Sequence, residues 1–104
     1  MANIMKMMKQ AASMQKDMEN LQKELAERTV EFSAGGGMVT VVAKGDISIK
    51  SIKIDQKAVD PDDVEMLEDL ILAGVDGALK QAQEMVSTEM SKLTQGLNIP
   101  GLNL

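Results

Sequence analysis

Ile4, Ala11, Met18 and Leu25 fall seven residues apart, and Met7, Met14 and Leu21 form a second row of the same stripe. An a/d heptad kept for about three repeats is the pattern of a helix that packs lengthwise on another helix. Neither Gly nor Pro interrupts the first thirty residues, and the positions around the stripe are mostly Lys, Gln, Glu and Asn. The N-terminal part of the chain is therefore committed to one amphipathic helix with a solvated outer face.

The character changes at Thr29. Val30-Glu31-Phe32-Ser33-Ala34 alternates and leans to β, Gly35-Gly36-Gly37 breaks it, and Met38-Val39-Thr40-Val41-Val42-Ala43 resumes as a β-branched run. Lys44-Gly45-Asp46 reads as a compact turn, followed by a third run from Ile47 to Ile54. Ile47 and Ile49 are out of phase there with Ile52 and Ile54, and a β-bulge near Lys50-Ser51 would return both pairs to one side. Three antiparallel strands joined by tight turns follow.

After a loop over 55–59, Asp60-Pro61-Asp62-Asp63 has the form of a helix start, with Asp60 as N-cap and Pro61 at the first helical position. Val64, Val75 and Val86 recur every eleven residues, as do Ile71, Ala82 and Leu93, with Leu67, Ala78 and Leu79 between them. Such a repeat keeps a stripe on one face with little supercoil. A helix running to about Thr94 would be roughly 50 Å long at 1.5 Å per residue, too long for one small sheet to cover. Both helices are expected to project beyond the sheet as arms. Gly74 and Gly77 are anomalous inside this helix, each costing about 1 kcal/mol relative to Ala. Either another part of the chain approaches closely there or the helix is locally weak. The fold class is thus α+β, an α-β-β-β-α chain with a three-stranded antiparallel sheet, a single domain over 1–95 and a flexible tail over 96–104.

Composition narrows the function. Phe32 is the only aromatic among 104 residues, while there are ten methionines. A core filled by flexible Met rather than by large rings is marginal for a monomer, so self-association is expected. The chain has no Cys and no His, which removes thiolate and imidazole catalysis, disulfides and the usual zinc ligands. Lysines break every apolar run of the N-terminus, so neither a signal-peptide core nor a membrane span is expected, and the location is read as cytoplasmic.

The net charge of −5 conceals a gradient: three lysines and no acid over 1–16, nine acids and one lysine over 60–89. The overall field repels DNA at long range, but within a Debye length of roughly 8 Å a local basic patch still acts. Lys9, Lys16 and Lys23 share heptad position f, opposite the apolar seam, with Lys6 beside them. They form a basic line rising roughly 10.5 Å per heptad. Such a line suits phosphates, though lysine is also an ordinary solubilising residue at f. No aromatic residue interleaves these lysines, which argues against stacking on single strands.

Other candidates have simpler readings. The Gly35–Gly37 run precedes a strand rather than a helix N-terminus, so it reads as a turn and not as a phosphate cradle. Asp60, Asp62, Asp63, Glu65, Glu68 and Asp69 lack calcium-loop order and read as capping and a solvated face. The Met stripe reads as packing surface rather than as a promiscuous groove. No cofactor, metal or catalytic residue is expected.

The order of motifs is also recognisable. Met14-Gln15-Lys16-Asp17-Met18 is followed by Gly36-Gly37-Met38-Val39-Thr40-Val41 and Ile52-Lys53-Ile54-Asp55. Asp62-Asp63-Val64-Glu65-Met66-Leu67-Glu68-Asp69-Leu70-Ile71 comes next, then Ala78-Leu79-Lys80-Gln81-Ala82-Gln83-Glu84 and a Leu-rich tail with Gly and Pro. The whole chain resembles the YbaB/EbfC family of bacterial nucleoid-associated proteins, most specifically from the strands into the second helix. The resemblance implies a homodimer formed largely through the sheets, with helical arms that grip duplex DNA like tweezers. It also implies a nucleoid location; neither a membrane nor a small-molecule partner is expected. Carried onto this sequence, it makes Lys6, Lys9, Lys16 and Lys23 the phosphate contacts, with Lys80 and Lys92 as weaker ones. The expected function is nucleoid organisation and gene regulation. The alternative is a protein-interaction module of DNA recombination or repair, whose arms bind another protein.

Overall fold

The computed structural model describes residues 2–96. The element order is α1 (Ala2–Glu27), β1 (Thr29–Ala34), β2 (Val39–Lys44), β3 (Ser48–Ile54), one 3-10 turn (Gln56–Ala58) and α2 (Val64–Gly96). This is the expected α-β-β-β-α order. The tail expected over 96–104 lies, from residue 97 onward, outside the described residues.

The sheet is antiparallel with β2 in the centre. Its register aligns Ala34, Val39 and Ile54 in one row, Phe32, Val41 and Ile52 in the next, and Val30, Ala43 and Ile49 in a third. Side chains alternate along a strand, so these rows form one apolar face. The register shifts between Val42 and Ala43, whose partners are Ser51 and Ile49, so that Lys50 is passed over. This is the expected bulge, and its one extra residue resets the phase of the strand.

Both hairpin turns need left-handed backbone. Gly35, Gly36 and Gly37 all have positive φ (63°, 66° and 97°), which is why three glycines stand there. At the second turn the structure corrects the sequence reading, because Ile47 belongs to the turn and not to β3. Its N–H donates to the Lys44 carbonyl at 2.9 Å, and its φ is +63°. A three-residue hairpin loop places its last residue in this region. Asp46 fastens the loop by accepting from the backbone N–H of Ser48 at 3.1 Å and from the Ser48 hydroxyl.

A second correction concerns the start of α2. Asp63, not Asp60, is the N-cap, accepting from the Met66 N–H at 3.2 Å. Asp60 opens a preceding turn, in which its carboxylate accepts from Asp62 N–H and its carbonyl from Asp63 N–H, each at 3.0 Å. Pro61 fills the second position of that turn. The fixed φ of proline suits this position as well as the first residue of a helix, so the sequence signal was ambiguous.

The apolar face of β1 and β2 is covered by α2. Val39, Val41, Ala43, Ala78 and Ala82 are fully buried, ringed by Val30, Phe32, Leu67, Leu70, Ile71, Val75 and Leu79. Full burial of a valine is worth about 1.5–3 kcal/mol, and alanines contribute less, so this core is modest. It also depends on close approach, which settles the two helical glycines. A Cβ at Gly74 would lie 2.9 Å from Val41 Cγ2 and 3.4 Å from Val39 Cγ1, and one at Gly77 would strike the Phe32 ring. The glycines let the helix axis sink onto the sheet.

The direction of the arms follows from the same contacts. Along α2, Leu70 lies by Gly35, Gly77 lies by Phe32, and Met85 lies by Gly45 and Leu25. Helix α2 therefore crosses the sheet toward the end at which α1 enters it. Beyond Met85 the two helices leave that end together, antiparallel, as one two-helix arm. The molecule is accordingly 75 Å long but only 24 by 15 Å across. Leu25 is buried, and Met14, Met18 and Leu21 are half-buried, as are Met85, Val86, Met90 and Leu93 on α2. The remainder of the α1 stripe, Ile4, Met7 and Ala11, is exposed, so the seam read over three repeats is covered by α2 along its C-terminal half only.

Candidate nucleic-acid interface

Lys6, Lys9, Lys16 and Lys23 all lie on α1, and all four are exposed. Helical spacing of seven drifts only about 20° per turn pair, so the last three stay on one line opposite the Met14–Leu25 seam. Their separation of about 10.5 Å spans roughly three phosphates of one DNA strand at 3.4 Å each.

Ion pairing separates these lysines from the rest. Lys80 is held by Asp76 at 3.5 Å and Lys92 by Glu89 at 3.3 Å. Lys44 reaches Glu27 at 3.3 Å and Asp46 at 3.8 Å, and Arg28 joins Glu24 at 2.9 Å and Glu89 at 3.8 Å. Among the described residues, no carboxylate lies within salt-bridge distance of Lys6, Lys9, Lys16 or Lys23. Two of the four acids that dilute the basic line, Glu24 and Glu27, are engaged by Arg28 and Lys44. The other two, Asp17 and Glu19, stay beside Lys16, so it is Lys6 and Lys9, toward the tip of the arm, that have no acid near them on α1. The first turn of α1 holds no acid either, so the positive end of its macrodipole is uncompensated. By contrast, α2 opens with the Asp63 cap and with Glu65 in its first turn.

Lys50, Lys53 and Lys57 are also exposed and without salt bridges among the described residues, and sequence reasoning passed over them. The register pairs Lys53 with Thr40, on the sheet face opposite the core. The signal was present in the sequence, since a lysine between Ile52 and Ile54 must point away from their face.

No polar or charged residue is buried among the described residues, and no group of three or more potential metal ligands gathers there. A depression beside Phe32 and Gly77 is shallow and open and is lined by Asp76, Lys80, Gln81 and Glu84. The Asp46 carboxyl lies below the ordinary aspartate value, chiefly through the Ser48 hydroxyl and also through nearby Lys44. No helix of the described residues is long and apolar enough to cross a membrane.

Fold and surface together define a helix–sheet–helix protein that presents an unpaired basic helix on an arm. Residues 1–97 match the YbaB/EbfC DNA-binding family, and the chain belongs to that family, one of nucleoid-associated DNA-binding proteins rather than enzymes. A nucleoid-associated protein of Acetivibrio thermocellus is 62% identical over 101 residues, covering 96% of this chain and 89% of the relative. One from Pelotomaculum thermopropionicum is 60% identical over 100 residues, covering 96% and 95%. Among solved structures, the uncharacterized protein HP0035 of Helicobacter pylori shares the fold, with a TM-score of 0.62 at 20% identity over 77% of this chain and 93% of its own.

Proposed function

We propose that this protein binds duplex DNA as a homodimer, gripping the phosphate backbone with its helical arms and thereby organising the nucleoid and influencing transcription. The observation that carries the reading is the set of four exposed lysines on α1 without salt bridges, on an arm whose other cations are held by carboxylates. Backbone contact by lysine positions a protein on DNA and carries little base readout. Lys80 and Lys92 are then secondary, because contact with phosphate requires them to leave Asp76 and Glu89.

The dimer is supported by the uncovered column of β3. Ile49, Ile52 and Ile54 lie on the apolar face of the sheet, on the strand that α2 covers least, and each is more than one-third exposed. A second copy of the chain, using the same strand, would bury both columns around a two-fold axis.

The test is fluorescence anisotropy of a labelled duplex from about 50 to 200 mM salt, with wild type and a Lys9/Lys16/Lys23→Gln variant. Each phosphate contact contributes a slope of about −0.9 in log K against log salt. Four contacts on one arm thus weaken binding roughly 150-fold over this range, and the variant should lose most of that slope. An unchanged slope in the variant refutes the α1 lysines as the contacts. Absence of saturable binding at low salt refutes the DNA reading for the protein alone and turns the search to a protein partner.

A further inference from the structure

Three further lysines stand along β3 and just beyond it. Lys50 sits at the bulge, Lys53 pairs with Thr40 on the outer face of the sheet, and Lys57 lies in the 3-10 turn. All three are exposed and without salt bridges among the described residues. The backbone that carries them is fixed. β3 pairs with β2, the Asp55 N–H donates to the Met38 carbonyl at 2.8 Å, and Ala58 anchors the turn by full burial.

Local charge favours an anion. From Ile47 to Val59 these three lysines face Asp55 alone, and the Asp55 carboxylate turns back to accept from the Lys57 N–H at 2.9 Å. Glu31 lies two strands away, about 10 Å from β3. Neutral donors fill the space between. Ser33 and Thr40 share a row with Lys53, their hydroxyls 3.1 Å apart, and Ser51 lies on the same face.

We propose that the outer face of β3 and the turn after it form a second contact surface for the phosphate backbone of duplex DNA, carried by Lys50, Lys53 and Lys57. The proposal rests on the DNA reading given above, but not on α1 as the grip. Lys50 and Lys53 are about 10 Å apart along the strand, close to the step between the α1 lysines. A flat row of lysines and hydroxyls suits phosphate oxygens rather than base edges. Lysine on an edge strand also discourages pairing with other chains. That role does not call for Lys57, which lies beyond the strand, and DNA would leave it unaltered.

Limited acetylation of the lysine amines, read by mass spectrometry with and without saturating duplex, tests the surface on the unaltered chain. Acetylation of Lys50, Lys53 and Lys57 should slow several-fold when DNA is bound. In the anisotropy titration, three contacts at a slope of about −0.9 each weaken binding roughly 40-fold between 50 and 200 mM salt. A Lys50/Lys53/Lys57→Gln variant should lose that share, in the wild-type chain and in the Lys9/Lys16/Lys23→Gln background alike. Amines that DNA does not protect, or a slope equal to wild type in the β3 variant, overturn the second surface and leave the α1 reading standing. A slope lost in the β3 variant but kept in the α1 variant supports the sheet face and removes the arm as the grip. Absence of saturable binding by the wild-type chain overturns both.

Discussion

Replacing Gly77 with alanine sets two effects of known sign against each other. In an unconstrained helix the substitution stabilises by about 1 kcal/mol, because glycine loses more backbone freedom on folding. Here the new methyl would meet Cε1, Cδ1 and Cζ of Phe32, all closer than 3.0 Å. The ring is packed against the core formed by Val39, Val41 and Ala78, so it can yield only outward, toward the depression lined by Asp76, Lys80 and Gln81. Overpacking of this kind costs about 1–3 kcal/mol. Subtracting the helix gain leaves Gly77→Ala destabilising by about 1 kcal/mol, a fall in Tm of roughly 4–8 °C for a domain of this size. The assay is thermal denaturation followed by circular dichroism, at fixed protein concentration because a dimer melts with mass action. The Phe32→Leu background supplies the second arm of a double-mutant cycle. With the ring gone, Gly77→Ala should be neutral or stabilising, giving a coupling of at least about 0.5 kcal/mol. A rise in Tm for Gly77→Ala in the wild-type background refutes the argument from close approach.

Ile47 is a β-branched residue at φ +63°, so Ile47→Asn should relieve about 1 kcal/mol of backbone strain and raise the urea midpoint; a lower midpoint would show that its side chain is needed elsewhere. Asp46 is more acidic in the folded chain than unfolded, through Ser48 first and then Lys44. Its carboxylate thus contributes stability above about pH 4, and that contribution disappears as pH falls through the lower folded value. Asp46→Asn should therefore flatten the pH dependence of the urea midpoint below about pH 4, and an unchanged profile contradicts the assignment. Ile52→Glu places a charge in the middle of the proposed β3 interface, so sedimentation should show a folded monomer where wild type gives a dimer. A variant that still dimerises moves the interface elsewhere.

Several features of the molecule were legible because they depend on neighbours close in sequence. The bulge in β3 could be read from the slip between Ile49 and Ile52, since period-two alternation leaves no other way to keep both on one face. The turn at Gly35–Gly37 could be read because only glycine adopts positive φ three times in succession at little cost. Helix α1 and its basic line followed from spacing alone, as did the covered stripe of α2. The start of α2 was misplaced by three residues, and Ile47 was assigned to a strand, because proline and β-branched residues each fit two local geometries.

What the amino-acid order determined by itself is therefore the sequence of elements, their apolar faces and the line of lysines on α1. The rest needed contacts between residues far apart in the chain. The depth to which α2 sinks onto Phe32 and Val41 chose between two meanings of Gly74 and Gly77. The crossing direction of α2 joined the two expected arms into one. The carboxylates that engage Arg28, Lys44, Lys80 and Lys92, but not Lys6, Lys9, Lys16 or Lys23, decided which cations remain free. Periodicity is set by backbone geometry within a few residues, whereas approach and charge pairing are set by which surfaces meet, and only the folded chain brings those surfaces together.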